Sequence, residues 1–457
     1  MILNMVVLQR VAPRRVVLMT AIVGAVIMGD SMLYNVLPSN ITSFGVSAGL
    51  VGVILSANRF VRLVSNPMAA WFFQRFGLDK PLLLVILVSV GTTVAYGAGH
   101  GFVVLLLARL LWGVCYSMLR LGGYLMVLED GRESTRGRLM GFFSGGQRTG
   151  SVLGVLLGGF LFDVTGRTAS FLIIAALGLV SLPIPLALGR NRPRTLKVKA
   201  ASVPADISEE VKPRGVRSQM ARPHSRILDL ILTPVPELDR VKVRQLLAVS
   251  VTVSAFYFAM NGVLVSTLGF FLSEELGEEG ASIGGVVIGI ATLNGLFLAT
   301  SWASAMAAPY LGYVADRFGP ERVIAIAAPM CLVSLVLLAF PGLLWLSLLS
   351  LPLAFVSLAA VTVSLDAMAG GLAPRNRRAK VMSRYATWQD SGSALGPLLA
   401  YAVLEFSSLT WVFAANALLI CFAFAFFVTA FRGEFLSKRR ASLHEDTEAY
   451  DPRDRGP

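Results

Sequence analysis

Long apolar runs separated by short polar segments set the pattern of this chain of 457 residues. Many runs reach about 20 residues, which is the length that an α-helix needs to cross a bilayer. The pattern predicts twelve membrane spans, over residues 15–37, 47–73, 79–98, 102–128, 139–162, 168–189, 246–272, 283–311, 321–340, 342–368, 381–404 and 408–431. We therefore expect an all-α membrane protein with twelve transmembrane helices.

Composition and charge agree with this expectation. Hydrophobic residues make up 55% of the chain and the mean hydropathy is +0.70, which is too apolar for a soluble protein of this size. The net charge of +13 does not indicate nucleic-acid binding, because lysine and arginine concentrate in alternate loops and the other loops hold only Arg167. This asymmetry predicts a multi-pass protein of the cell inner membrane with both termini in the cytoplasm.

Residues that serve catalysis or metal binding are scarce. The three cysteines fall inside predicted spans, and the three histidines lie in loops that are far apart in sequence. The sequence shows neither a metal-ligand cluster nor a nucleophile with a matching histidine and acid. We therefore expect no enzyme activity, no metal and no cofactor.

An internal repeat divides the chain. The segment SGGQRTGSVLGVLLGG (144–159) returns 242 residues later within TWQDSGSALGPLLAY (387–401), and the same offset relates QRFGLDK (74–80) to DRFGPER (316–322). One register in two loops and two spans indicates a duplicated unit of six spans. The predicted parts are a cytoplasmic N-terminus (1–14), a six-helix bundle (15–189), a basic cytoplasmic linker (190–245), a second six-helix bundle (246–431) and a cytoplasmic tail (432–457).

This organisation resembles the major facilitator superfamily over residues 15–431. The loop DRFGPER is similar to the family's loop motif, and Arg109 and Gly113 match its R-x-x-x-G motif in span 4. Asp30 in span 1 and the glycines of span 5 are similar to drug:proton antiporters, although Val155 stands where their motif has a proline. The resemblance implies two pseudo-symmetric bundles that carry a substrate by alternating access.

Charged side chains inside the spans are the best indication of function. Placing such a side chain at the centre of a membrane helix costs about 2.5–3.5 kcal/mol, so it usually faces a cavity or a partner. These side chains are Asp30, Arg59, Arg62, Arg109, Arg120, Arg148 and Asp390. Asp30 and Arg109 lie at similar depths and can pair, whereas Asp390 can pair with Arg148 or with an arginine of span 2. Structural ion pairing is the alternative role. Five arginines exceed two aspartates, which favours an anionic substrate.

Three further groups complete the candidate site. Aromatic residues next to the charges are candidates for substrate contact or simple packing: Tyr34, Tyr116 and Trp388. Residues at the inner ends of the spans are candidate gate residues: Arg75, Glu129, Arg138, Asp316, Arg317, Gly319 and Asp366, with the acids of spans 4 and 10 expected to pair with arginines. Small residues and one proline are expected to bring helices close together, statically or in a contact that re-forms during transport: Gly113, Gly150, Gly154, Gly158, Gly392, Gly396 and Pro397.

The sequence thus predicts a secondary transporter coupled to protons through Asp30 and Asp390. The predicted substrate is a small organic anion or an acidic amphiphile, and the predicted direction is export rather than uptake. One alternative is a multidrug or cation efflux antiporter, and another is a lipid flippase or a non-transporting sensor on a transporter fold. The expected partners are membrane lipids, the substrate and protons, and the protein is expected to be a monomer.

Overall fold

A computed structural model of the chain describes residues 13–76, 79–131, 135–185, 240–277, 280–283, 285–340, 342–374 and 378–448. Residues 1–12 of the predicted N-terminal segment, 190–239 of the predicted linker and 449–457 of the predicted tail lie outside the described residues. The described residues are nearly all helical, as the apolar pattern predicts.

Five helices make up the described part of the first half. They are α1 (Arg14–Ser39), α2 (Ala48–Phe76), α3 (Asp79–Ala98), α4 (Phe102–Asp130) and α5 (Arg136–Leu179), and a short 3₁₀ helix (Ile41–Phe44) joins α1 to α2. The predicted spans 139–162 and 168–189 share the single element α5, which bends at Gly166. That residue has φ 75° and ψ 177°, a conformation open to glycine because it lacks a Cβ.

The second half contains eight further helices and a hairpin. They are α6 (Arg240–Phe256), α7 (Val265–Leu276), β1 (Ala281–Ile283), β2 (Val286–Ile288), α8 (Ile290–Met306), α9 (Ala308–Phe318), α10 (Pro320–Leu338), α11 (Leu344–Leu372), α12 (Arg378–Leu404) and α13 (Leu409–Glu448). A π-helical turn (Tyr257–Leu264) joins α6 to α7, so this predicted span is continuous.

The hairpin corrects one predicted boundary. Residues 283–289 were expected to begin a span, but β1 and β2 pair antiparallel, with Ile283 opposite Val286. Gly280 and Gly285 have positive φ on either side of β1, and the β-branched residues of β2 favour a strand. The helix therefore begins only at Ile290.

Nine helices in the described residues are long and apolar enough to cross a bilayer, and the pair α8 and α9, bent by 55°, raises the number to ten. The other two predicted spans lie in the second part of α5 and in α12. The polar stretch TWQDSGS lowers the hydropathy of α12. The total of twelve spans stays a prediction.

Contacts group the described residues into two compact units. The first unit holds the described residues up to 185 together with Gly262–Ala307 and Ala394–Leu409. It therefore contains α1 to α5 and, from the second half of the chain, α7, the hairpin, α8 and the end of α12. The second unit holds residues 240–261, 308–393 and 410–448.

Helix α1 lies at the centre of the first unit and contacts α4, α5, α7 and α8. Its closest neighbour is α5, because two glycines of α5 lie directly against the α1 backbone and a third lies against a side chain of α1. Gly150 faces Gly24, Gly154 faces Met28 and Gly158 faces Met32, with no room for a Cβ at any of the three α5 positions. Small residues allow this approach where lipid provides no hydrophobic driving force.

Candidate functional site

Arg109 is the centre of a polar cluster in the first unit. It is fully buried on α4 and forms an ion pair with Asp30 of α1. Its Nε and Nη2 donate to the backbone carbonyls of Ile54 and Leu55 on α2, at 3.2 and 3.4 Å. The pair expected from the equal depths of Asp30 and Arg109 is present, and it joins three helices.

Tyr34 extends this cluster along α1. It lies one turn beyond Asp30, so both side chains share a helix face. The Tyr34 hydroxyl donates to the Leu55 carbonyl at 2.9 Å. The Cζ atoms of Arg109 and Arg59 lie 4.6 and 5.8 Å from the centre of its ring. Aromatic rings attract such cations through their negative faces.

Two further arginines lie against the ring of Tyr116 on α4. The Cζ atom of Arg62 lies 5.3 Å from the centre of its ring, and that of Arg120 lies 5.8 Å away. Helices α2 and α4 approach closely beside it, because Gly113 leaves space for Asn58. We call the whole group the arginine ladder, and its members are Tyr34, Arg59, Arg62, Arg109, Tyr116 and Arg120.

Other charged candidates lie outside the ladder. Arg148 is exposed on α5 in the first unit. Asp390 and Trp388 are half-buried on α12 in the second unit, and no ion pair within the described residues includes Asp390. The pairing expected for Asp390 stays a prediction.

Asp366 contacts two neutral side chains of α12, and most of the arginines expected to pair with it at its own end of the second half lie outside the described residues. Within the described residues, its Oδ1 accepts from the hydroxyl of Tyr385 at 2.8 Å and from Nε2 of Gln389 at 2.9 Å. Tyr385 and Gln389 lie one turn apart on α12, so they reach α11 together. Their spacing of four residues indicates that both side chains lie on one face of α12. The spacing does not identify the residue that they contact.

The acidic end of α4 also has a partner that the sequence analysis missed. Nη1 of Arg15, at the start of α1, lies 2.9 Å from Asp130 and 3.6 Å from Glu129. The sequence indicates that this contact is possible, because the start of α1 and the end of α4 are both predicted to face the cytoplasm. The remaining gate candidates Arg75, Arg138, Asp316 and Arg317 are exposed, and Gly319 has φ 89° at the start of α10.

The candidate packing residues lie at close helix contacts. The contacts of Gly150, Gly154 and Gly158 stay inside the first half, which favours static packing for them, whereas Gly159 meets Ala291 of α8. In the second unit Gly392 lies against the Ser254 carbonyl. Gly396 is buried, and the carbonyl of Pro397 lies against Gly52 of α2 in the first unit.

Asn35 is a second residue that the sequence analysis missed. Its Nδ2 donates to the carbonyls of Val155 on α5 and Ala291 on α8, both at 2.9 Å. Nδ2 of Asn294 in turn donates to the Asn35 carbonyl at 2.8 Å. Asn35 and Asn294 are both fully buried, so this network joins α1, α5 and α8 within the first unit.

The sequence of this chain is similar to those of known transport proteins. The sequence model of the Major Facilitator Superfamily matches residues 19–304 and 291–451. The human synaptic vesicular amine transporter is 31% identical over 139 residues, which are 30% of this chain and 27% of that protein. The vesicular acetylcholine transporter of Tetronarce californica is 28% identical over 126 residues, 27% of this chain and 24% of that protein. The match thus spans less than a third of either relative.

A solved structure shows the same fold over most of the chain. It is a bacterial homolog of the human lysosomal transporter Spinster in an inward-facing, unoccupied conformation. The TM-score is 0.63 at 16% identity, and the match covers 92% of this chain and 96% of the other. At this identity the likeness concerns the fold alone.

Proposed function

The chain belongs to the major facilitator superfamily and is a multi-pass membrane transporter for a small molecule, and we propose that it moves an organic anion or an acidic amphiphile by alternating access. The proposal includes coupling to protons and export as the direction. The similarity of Asp30 and of the α5 glycines to antiporter motifs supports both parts.

The arginine ladder is the observation that carries the choice of substrate. It gathers four guanidinium groups around the rings of Tyr34 and Tyr116. A cluster of positive charge attracts an anionic group, and arginine binds carboxylates and phosphates through two parallel hydrogen bonds. The rings of Tyr34 and Tyr116 supply a surface for the apolar part of such a molecule.

The acids that we propose as proton carriers are Asp30 and Asp390. Both lie within predicted spans, where an ionisable residue usually serves a substrate or proton path. Asp30 is accessible, with 13% of its side chain exposed, although its partner Arg109 is fully buried. A proton can therefore reach the carboxylate without exposing the arginine.

The loop charges support our placement of the protein in the cell inner membrane with cytoplasmic termini. In this orientation Arg75, Arg138, Asp316, Arg317 and Asp366 belong to a cytoplasmic gate. We propose this gate together with two six-helix bundles, a cytoplasmic linker and a monomeric state.

One observation favours a second candidate, a cation exporter. Both vesicular relatives are named for amine or acetylcholine transport. In this alternative Asp30 binds the cation. The arginines do not contact the cation and only influence the ionisation of Asp30. Loss of a ladder arginine would then change transport little, whereas loss of Asp30 would abolish it.

Transport by proteoliposomes with an imposed pH gradient separates the two candidates. The panel contains organic anions, lysolipids and cationic amines, and the variants are Asp30→Asn and Arg62→Gln. We expect gradient-driven movement of an anion, loss of coupling in Asp30→Asn and weaker anion transport in Arg62→Gln. Movement of amines alone would favour the cation exporter. No response of any compound would remove the proton-coupled proposal.

A further inference from the structure

Two carboxylates occupy equivalent positions in the two repeats. The offset of 242 residues that relates the halves of the sequence carries Asp163 onto Glu405. The same offset carries Ala48, the first residue of α2, onto Ile290, the first residue of α8. Each carboxylate lies at the N-terminal end of one of these two helices, as the contacts below show.

Asp163 lies on α5, and its carboxylate caps the N-terminal end of α8. Its Oδ2 accepts from the backbone N–H of Thr292 at 2.7 Å and from the Thr292 hydroxyl at 2.5 Å. Thr292 is the third residue of α8, so its N–H has no acceptor within the helix. The carboxylate also lies over Gly289, where a Cβ would collide with it. An acid at this position is further stabilised by the helix dipole.

Glu405 makes the corresponding contact with α2. It follows the last residue of α12, and its carboxylate occupies the space that a Cβ at Gly49 would take. Gly49 is the second residue of α2, so this carboxylate also lies at a positive helix end. Both acids are exposed, and both contact a glycine at or next to the start of the helix.

Each contact joins one half of the chain to the other, and all the segments involved belong to the first unit. Asp163 of the first half meets α8 of the second half, and Glu405 of the second half meets α2 of the first. Deeper contacts lie along the same helix pairs, since Gly159 packs on Ala291 and Gly52 packs on Pro397. The positive-inside rule places this end of the helices outside the cell.

We propose that Asp163 and Glu405 are a pair of repeat-related latches that hold the outer side of the transporter closed. Each acid binds the N-terminus of a helix from the opposite half and leaves it when the outer side opens. This inference rests on the proposed alternating access, but its structural part can be tested without a substrate.

The test measures distances at the outer end by double electron–electron resonance on the full chain in lipid nanodiscs. Spin labels are placed at Thr42 and Ser408, both exposed, after replacement of Cys115, Cys331 and Cys421. We expect Asp163→Ala with Glu405→Ala to shift a major fraction of molecules to a longer distance, and each single change to shift a smaller fraction.

Glu275→Ala is the matched control, because Glu275 is an exposed acid near the C-terminal end of α7 and caps no helix N-terminus within the described residues. It should keep the original distance. Should the double alanine variant fail to fold, Asp163→Asn with Glu405→Gln preserves the side-chain volumes and should give a smaller shift in the same direction. Distances equal to those of the control in both double variants would overturn the latch. Absence of all transport by the unlabelled wild type would instead overturn the proposed function.

Discussion

Asp30 and Arg109 form an ion pair between α1 and α4 in which the two partners differ in exposure. The arginine side chain is fully buried, whereas 13% of the aspartate side chain is exposed. Arg109 also donates to two carbonyls of α2, so the pair fixes three helices at the centre of the candidate site. Its loss should therefore affect stability as well as transport.

The first prediction concerns Asp30→Asn. Removal of one partner from a buried ion pair typically costs about 3–5 kcal/mol, because the other charge stays buried without compensation. The partial exposure of Asp30 and the remaining bonds of Arg109 should place the cost at the lower end of that range. Thermal unfolding in detergent should show a clear fall in Tm. Asp390→Asn is the control, and equal Tm values for the two variants would contradict the prediction.

Depth counting along the sequence was enough to predict this pair, because helices rise by a constant amount per residue and equal distances from the outer ends give equal depths. The partners of Asp366 could not be found in this way. They depend on how α11 turns against α12, and that rotation follows from packing over the whole length of both helices.

The hairpin at 281–288 was missed for a related reason. A short apolar run fits a helix or a strand equally well, and only the positive φ at Gly280 and Gly285 decides between them. The role of Asn35 was hidden as well, because its two acceptors lie 120 and 256 residues away in the chain. The internal repeat, in contrast, was visible in the sequence, and it is the relation that pairs Asp163 with Glu405.

The second prediction concerns Tyr116, whose ring faces Arg62 and Arg120. Tyr116→Leu removes the ring and two cation–π contacts, each worth about 0.5–1 kcal/mol at an exposed site. Affinity for an anionic substrate should fall about tenfold, because the guanidinium groups lose the surface that orients them. Tyr116→Phe keeps the ring and should retain affinity. Uptake titrations in proteoliposomes measure both, and equal losses would contradict the role of the ring.

The third prediction compares two glycines of α5. A Cβ at Gly154 would lie 2.6 Å from the Met28 carbonyl oxygen, whereas a Cβ at Gly145 would meet nothing within 4 Å. Gly154→Ala should therefore lower stability by about 1–3 kcal/mol through overpacking. Gly145→Ala should be neutral or stabilising by up to about 1 kcal/mol, because alanine favours the helix. Thermal unfolding of both variants checks the difference, and a harmless Gly154→Ala would show that α1 and α5 can separate freely.

The fourth prediction concerns Asn35, whose amide joins α1 to α5 and α8. Asn35→Leu has a similar volume but cannot donate, so two buried hydrogen bonds worth about 1 kcal/mol each are lost. Stability should fall by about 2 kcal/mol, and amide hydrogen exchange should rise in peptides from α8. Asn416→Leu is the matched control, because Asn416 is also buried but donates only to Val412 of its own helix within the described contacts. If both variants show the same exchange in α8, the Asn35 amide does not hold α8 against the first half, and the close glycine contacts must do so alone.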